Sequence, residues 1–155
     1  EEGATTTNEV LGIGVPMATA IADAAAARRD YLDETGGRYV HVIADGDVYN
    51  SGDLAKALAC GADAVSLGGL LARASEAPGR GWYWPSAAAH PDTPRGALLQ
   101  LAQDEGRPSL ETVLRGPSDD PDGALNLIGA LRRSMAKAGY ADLKEFQKVG
   151  LSVRG

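Results

Sequence analysis

At 155 residues and 44% apolar composition, the chain is long enough to bury one core of ordinary size and too short for several domains. A net charge of −6 without any dense Lys/Arg block excludes a sequence-independent grip on DNA or RNA, although backbone N–H groups can still hold one small phosphate. A single cysteine excludes an internal disulfide, and no apolar run approaches the roughly 20 residues that span a bilayer.

Residues 1 to 15 read as a Thr- and Gly-rich loop, opened by Glu1 and Glu2 rather than by a positive signal region, which predicts a soluble cytoplasmic protein. The first long helix is expected over Pro16–Thr35, with Pro16 in its first turn and Gly36-Gly37 just past its end. Met17, Ala20, Ile21, Ala24, Ala27, Arg28 and Tyr31 recur at helical spacing, so this helix is expected to lie against a sheet. Tyr39–Ala44 is β-branched and nearly apolar, the pattern of a strand covered on both faces. His41, in mid-strand, reads as a hydrogen-bonded core histidine.

A second helix is expected from about Gly52 to Cys60, capped by Asn50 or Ser51 and ended by Gly61. Cys60 falls in a run of small residues and reads as a packed, structural thiol. Ala64–Leu67 is the next strand, so helix, strand, helix, strand and helix follow in order and point to an α/β fold with parallel strands. From Glu76 to Pro108 prolines and glycines interrupt every period. Trp82, Tyr83 and Trp84 in that stretch fit either a plug at the end of a core or a flap over a ligand. A surface position suits His90. Short helices are expected over Ser109–Leu114 and Leu143–Val149, the latter with Asp142 and Glu145 as a capping box. Between them lies a longer helix, Ala124–Ala138, closed by Gly139, with Leu127 or Ile128, Leu131 and Met135 on one face.

Function is expected where each strand ends. Ligands of parallel α/β folds gather at the carboxyl ends of strands, and Asp45-Gly46-Asp47 and Gly68-Gly69 stand there. Glycine lets a phosphate approach the backbone and a carboxylate can accept ribose hydroxyls, while the same glycines also serve as plain tight turns.

The blocks VIADGD, SGDLAKALACGADAV, LGGLLARASEAPG and NLIGALRRSMAKAGYADLKEFQKVGL resemble, in this order, the carboxyl-terminal part of the IMP dehydrogenase and GMP reductase family. The similarity is greatest to a short IMP dehydrogenase-related subgroup that lacks the regulatory CBS insert. It implies the last portion of a TIM (β/α)8 barrel: the helix after the sixth strand, the seventh and eighth strand–helix units, and the C-terminal helices. A complete barrel takes roughly 250 residues, so the resemblance covers less than half of one. Residues 1–15 would be an active-site loop, 16–75 the strand–helix units, 76–108 the flap and 109–155 the closing helices.

The resemblance further implies NAD or NADP as cofactor and a purine nucleoside monophosphate, IMP or GMP, as substrate. Asp45 is then the ribose ligand, and Gly46, Asp47, Gly68 and Gly69 hold the positions around the phosphate. Thr5 occupies the slot of the family's nucleophilic cysteine, Thr7 matches a threonine that assists proton transfer, and Glu105 is the acidic partner. A threonine hydroxyl is a far weaker nucleophile than a thiolate, so Thr5 predicts impaired catalysis. Asp47 replaces a glycine and Gly69 a serine that would face the phosphate. The alternative expectation is a non-catalytic half-barrel that associates with itself or with a complementing half through its open edges.

Overall fold

The computed structural model describes residues 12–46, 48–83 and 98–152. Among these residues six helices and four short strands follow one another: α1 Met17–Glu34, β1 Ile43–Asp45, α2 Ser51–Ala59, β2 Ala64–Ser66, α3 Gly69–Ala72, β3 Trp82–Tyr83, β4 Leu99–Gln100, α4 Leu110–Arg115, α5 Leu127–Ala138 and α6 Leu143–Phe146. The fold is mixed α/β, and β1 and β2 pair in parallel with Ile43 opposite Ala64, Ala44 opposite Val65 and Asp45 opposite Ser66. Helix α2 makes the crossover between them.

Local chemistry accounts for the ends of these elements. Asn50 caps α2 by accepting the Asp53 N–H at 2.9 Å. Ser109 caps α4 through the Thr112 N–H at 3.1 Å, and Asp142 caps α6 through the Glu145 N–H at 2.9 Å. Only half of the expected capping box forms, because the Glu145 carboxylate pairs forward with Lys148 at 2.6 Å. Helix α6 is accordingly shorter than Leu143–Val149. Helix α5 starts at Leu127 rather than Ala124 because Asn126 is left-handed, with φ of 54°. Gly139 closes it in the left-handed region, as expected.

Two further expectations change. Pro16 is the N-cap of α1 rather than a first-turn residue, and the buried face of the helix is Ile21 and Ala25, flanked by Met17 and Arg28; Ala20, Ala24, Ala27 and Tyr31 are exposed. This face meets α2 and the turn after it rather than a sheet. The first strand is shorter than Tyr39–Ala44 and is covered on one side only: Ala44 is buried, whereas Ile43 is 64% exposed. Residues before Ile43 have another partner. The Val42 N–H donates to the Asp63 carboxylate at 2.9 Å and the Asp63 N–H returns to the Val42 carbonyl at 2.7 Å, so a side chain replaces the strand ladder there.

Ala44, Leu54, Leu58, Leu70, Val113, Leu127, Leu131 and Phe146 belong to one continuous core. Leu127 and Val113 are completely enclosed, and Ile128, the alternative to Leu127, is 41% exposed. The core therefore backs one face of the β1–β2 pair and leaves the other face and the carboxyl ends of both strands accessible. No helix among the described residues is long and apolar enough to cross a membrane.

Candidate functional site

The parallel register puts two sequence-selected clusters at the same end of the sheet. Asp45 is the last residue of β1, opposite Ser66, so Gly46 leaves one strand beside Leu67 and Gly68 leaving the other. Asp45 is exposed, while Gly46 is buried with φ of 113°, a conformation that favours glycine. Gly68 is the N-cap of α3 and Gly69 its first residue; the Gly68 carbonyl accepts the Leu71 and Ala72 N–H groups, both at 3.1 Å. Thr5, Thr7 and Asp47 lie outside the described residues, as do Trp84 and His90.

A ribbon leans over this end. Strands β3 and β4 pair antiparallel, with Trp82 opposite Gln100 and Tyr83 opposite Leu99. A tight turn sets the base of the ribbon: Gly81 has φ of 89°, and its carbonyl accepts the Leu101 N–H at 2.8 Å. Gly69 lies under the ribbon, since a Cβ at that position would stand 3.3 Å from Leu101 Cδ1 and 4.0 Å from Tyr83 Cε1. A side chain at 69 would press on Leu101. Trp82 is 43% exposed, so this tryptophan does not plug the core.

Between the ribbon and α3 runs an open cleft of about 470 Å³, lined by Gly68, Leu71, Ala72, Pro78, Trp82 and Tyr83 among others, with Glu76 and Leu110 at α4. Glu76 was not singled out in the sequence. Its Oε2 accepts the Leu110 N–H at 2.8 Å and the Ser75 hydroxyl at 2.9 Å, and these two bonds, the backbone one foremost, hold its carboxyl below the usual range. The link spans 34 residues, so no local pattern could have announced it.

Glu105 is not drawn into this arrangement. It sits exposed in the turn before Arg107 and does not line the cleft. The neighbouring acid is the engaged one: Asp104 pairs with Arg80 at 2.8 Å and with Arg107 at 3.2 Å. Arg107 also donates to the Ala74 carbonyl at 2.5 Å, which pins the turn to the segment after α3.

The reading of His41 as a core residue is corrected. Its side chain is 74% exposed, 3.8 Å from Asp63 and edge-on to Tyr39, at the amino ends of the strands and away from the glycines. Asp63 is the centre there, receiving Arg28 and the Tyr39 hydroxyl at 2.5 Å and Lys144 at 2.7 Å. Burial alone would raise its pKa. The hydrogen bonds from Lys144, Tyr39 and Val42, with the charge of Arg28, outweigh that and hold the carboxyl well below the usual range. Cys60 is half-buried at the C-cap of α2, and burial pushes its thiol up, so it is no ready thiolate. Among the described residues no group of three His, Cys, Asp or Glu could hold a metal.

Comparison with known proteins adds the family. A family model described as IMP dehydrogenase / GMP reductase domain matches residues 3–90. An uncharacterized oxidoreductase of Mycolicibacterium smegmatis is 78% identical over 151 residues, covering 97% of this chain and 40% of that protein. The inosine-5'-monophosphate dehydrogenase of Aquifex aeolicus is 38% identical over 162 residues, covering 96% of this chain and 32% of that one. The crystal structure of an IMP dehydrogenase/GMP reductase-like protein from Corynebacterium glutamicum superposes with a TM-score of 0.89 at 60% identity, over 98% of this chain and 40% of that one. The chain thus spans about two fifths of the length of the Mycolicibacterium and Corynebacterium relatives. With a family model matching more than half of its residues, the chain belongs to the IMP dehydrogenase / GMP reductase family.

Proposed function

We propose that this chain supplies the nucleotide-holding end of a purine nucleoside monophosphate oxidoreductase built on a TIM barrel, with β1 and β2 as its last two barrel strands. The observation that carries this reading is the parallel register Asp45 to Ser66, which sets a carboxylate and three glycines around one opening. In this reading Asp45 accepts hydrogen bonds from the ribose hydroxyls, and the backbone at Gly46, Gly68 and Gly69 approaches the phosphate without Cβ atoms in the way. Asp47 sets a like charge beside that phosphate, and Thr5 stands where the family's resemblance calls for a thiolate, so nucleotide binding is expected to outlast turnover.

A nicotinamide cofactor, NAD or NADP, would accept or supply the hydride. The described strand ends form one glycine cradle, which this reading gives to the nucleotide. No second cradle follows a strand among the described residues, so no step is routed through the dinucleotide and its binding falls to the remaining length of the relatives. Thr7 and Glu105 as proton-transfer groups belong to the same proposal; the exposed turn that holds Glu105 is separate from the cleft lining.

Thermal unfolding with IMP and with GMP tests the binding. At a nucleotide concentration of 100 times the dissociation constant the folded state gains about 2.7 kcal/mol, and Asp45→Ala should abolish the gain. Absence of any shift at millimolar nucleotide overturns the reading.

Exposed apolar side chains favour a second reading beside the first. Val40, Ile43 and Tyr49 are 48%, 64% and 66% exposed around β1, the sort of surface that a partner covers. A non-catalytic, self-associating half-barrel, or one completed by another half, would bury them. Light scattering on the isolated chain should give a dimer or larger, and a stable monomer with unchanged folding removes this reading.

A further inference from the structure

We propose that the cleft between α3 and the β3–β4 ribbon binds a small planar organic cation, with Glu76 as counter-charge and the Trp82–Tyr83 strand as its aromatic wall. Its volume of about 470 Å³ lies within the roughly 300–1,000 Å³ of small-molecule sites. The floor is apolar, formed by Leu71, Ala72 and Pro78, and Glu76 is the carboxylate of the lining, in which no Lys, Arg or His takes part among the described residues. An anion would meet repulsion there and a neutral ring would gain apolar contact alone. A planar cation gains that contact, the electron-rich faces of the aromatic rings and the carboxylate together.

Glu76 is prepared for this part. The bonds from the Leu110 N–H and the Ser75 hydroxyl both end on Oε2 and fix the carboxylate at the rim of the cleft. The Leu110 N–H and the Ser75 hydroxyl keep the carboxyl ionised at neutral pH. Arg107 is held away as a direct partner of Glu76 by its bonds to Asp104 at 3.2 Å and to the Ala74 carbonyl at 2.5 Å. Gly68 borders both sites, but the nucleotide reading concerns an anion at the strand-end backbone and this one a cation at the Glu76 end of the cleft.

Isothermal titration with N-methylquinolinium, and with quinoline as its uncharged counterpart, decides the matter on the intact chain. The cation should bind saturably and about tenfold more tightly than quinoline, an advantage that falls with added salt. Glu76→Gln keeps an oxygen for the Leu110 N–H and should weaken the cation about tenfold while leaving quinoline unchanged. Ala72→Phe fills the floor and should abolish both. Equal affinity for the two probes, an unchanged cation affinity in Glu76→Gln, or no saturable binding at millimolar cation overturns the proposal. If Glu76→Gln fails to fold, binding that survives Ala72→Phe overturns it equally.

Discussion

Asp63→Ala is expected to lower the unfolding free energy by about 3 kcal/mol, the scale for removing one member of a buried ion pair and orphaning its partners. Three partners lose an acceptor: the Arg28 guanidinium, whose side chain is 10% exposed, the Tyr39 hydroxyl and the Val42 N–H. The fourth, Lys144, is 60% exposed, and its arm of the cluster is largely screened. Lys144→Ala should therefore cost less than about 1 kcal/mol. For a chain of this size, 3 kcal/mol corresponds to a melting temperature lower by roughly 6–12 °C, readable by calorimetry.

The pH dependence has a definite sign. The Asp63 carboxyl is held below its unfolded value, so the unfolded chain binds the proton more readily. The stabilisation is complete above the unfolded pKa of about 4 and drains away as pH falls below it, by up to about 1.4 kcal/mol per pH unit. Lys144 runs the other way: its pKa is raised, chiefly by its hydrogen bond to Asp63, so its contribution is complete at neutral pH and is lost as pH climbs past about 10. Wild type and Asp63→Ala should thus differ most between about pH 5 and 10 and converge in acid. A difference that stays constant down to pH 3 would show that burial, not the ionised hydrogen bonds, sets the contribution of Asp63.

The cluster precedes the strands, with Val42 just before β1 and Asp63 just before β2, whereas Asp45 and the glycines end them. Folding stability and the candidate site thus occupy opposite ends of the same two strands. Asp63→Ala should accordingly leave nucleotide affinity unchanged at temperatures where the variant is folded.

Residues whose role is local were legible: Asn50, Gly61, Gly139 and Asp142 begin or end elements where turn and cap chemistry puts them. The position of Asp45, Gly46, Gly68 and Gly69 at the carboxyl ends of two parallel strands was legible because a strand end needs no distant information. The misreadings share another origin. Tyr39–Val42 has strand composition, yet its backbone answers to Asp63, 21 residues from Val42. Helix α1 holds seven alanines among its 18 residues, so nothing in its periodicity separates Ala25, which is buried, from Ala24, which is not.

Gly61→Ala is the second large effect, expected at about 3 kcal/mol from backbone strain and overpacking combined. Gly61 has φ of 117°, outside what an L side chain adopts comfortably, and a Cβ there would stand 2.6 Å from the Ala25 Cβ. Two methyl carbons need nearly 4 Å, so α1 would have to lift from the turn that ends α2. The lift would also strain the Arg28 bonds to the Gly61 carbonyl at 3.1 Å and to Asp63. A double-mutant cycle separates the two causes. Ala25→Gly alone should cost about 1 kcal/mol of helix propensity, yet in the Gly61→Ala background it should be neutral or stabilising, because it removes the methyl that collides. The strain at φ remains in the double variant, which should stay about 1–2 kcal/mol less stable than wild type. If the two changes are additive in chemical denaturation, the close approach of α1 to Gly61 is not what requires glycine, and the left-handed turn alone accounts for it.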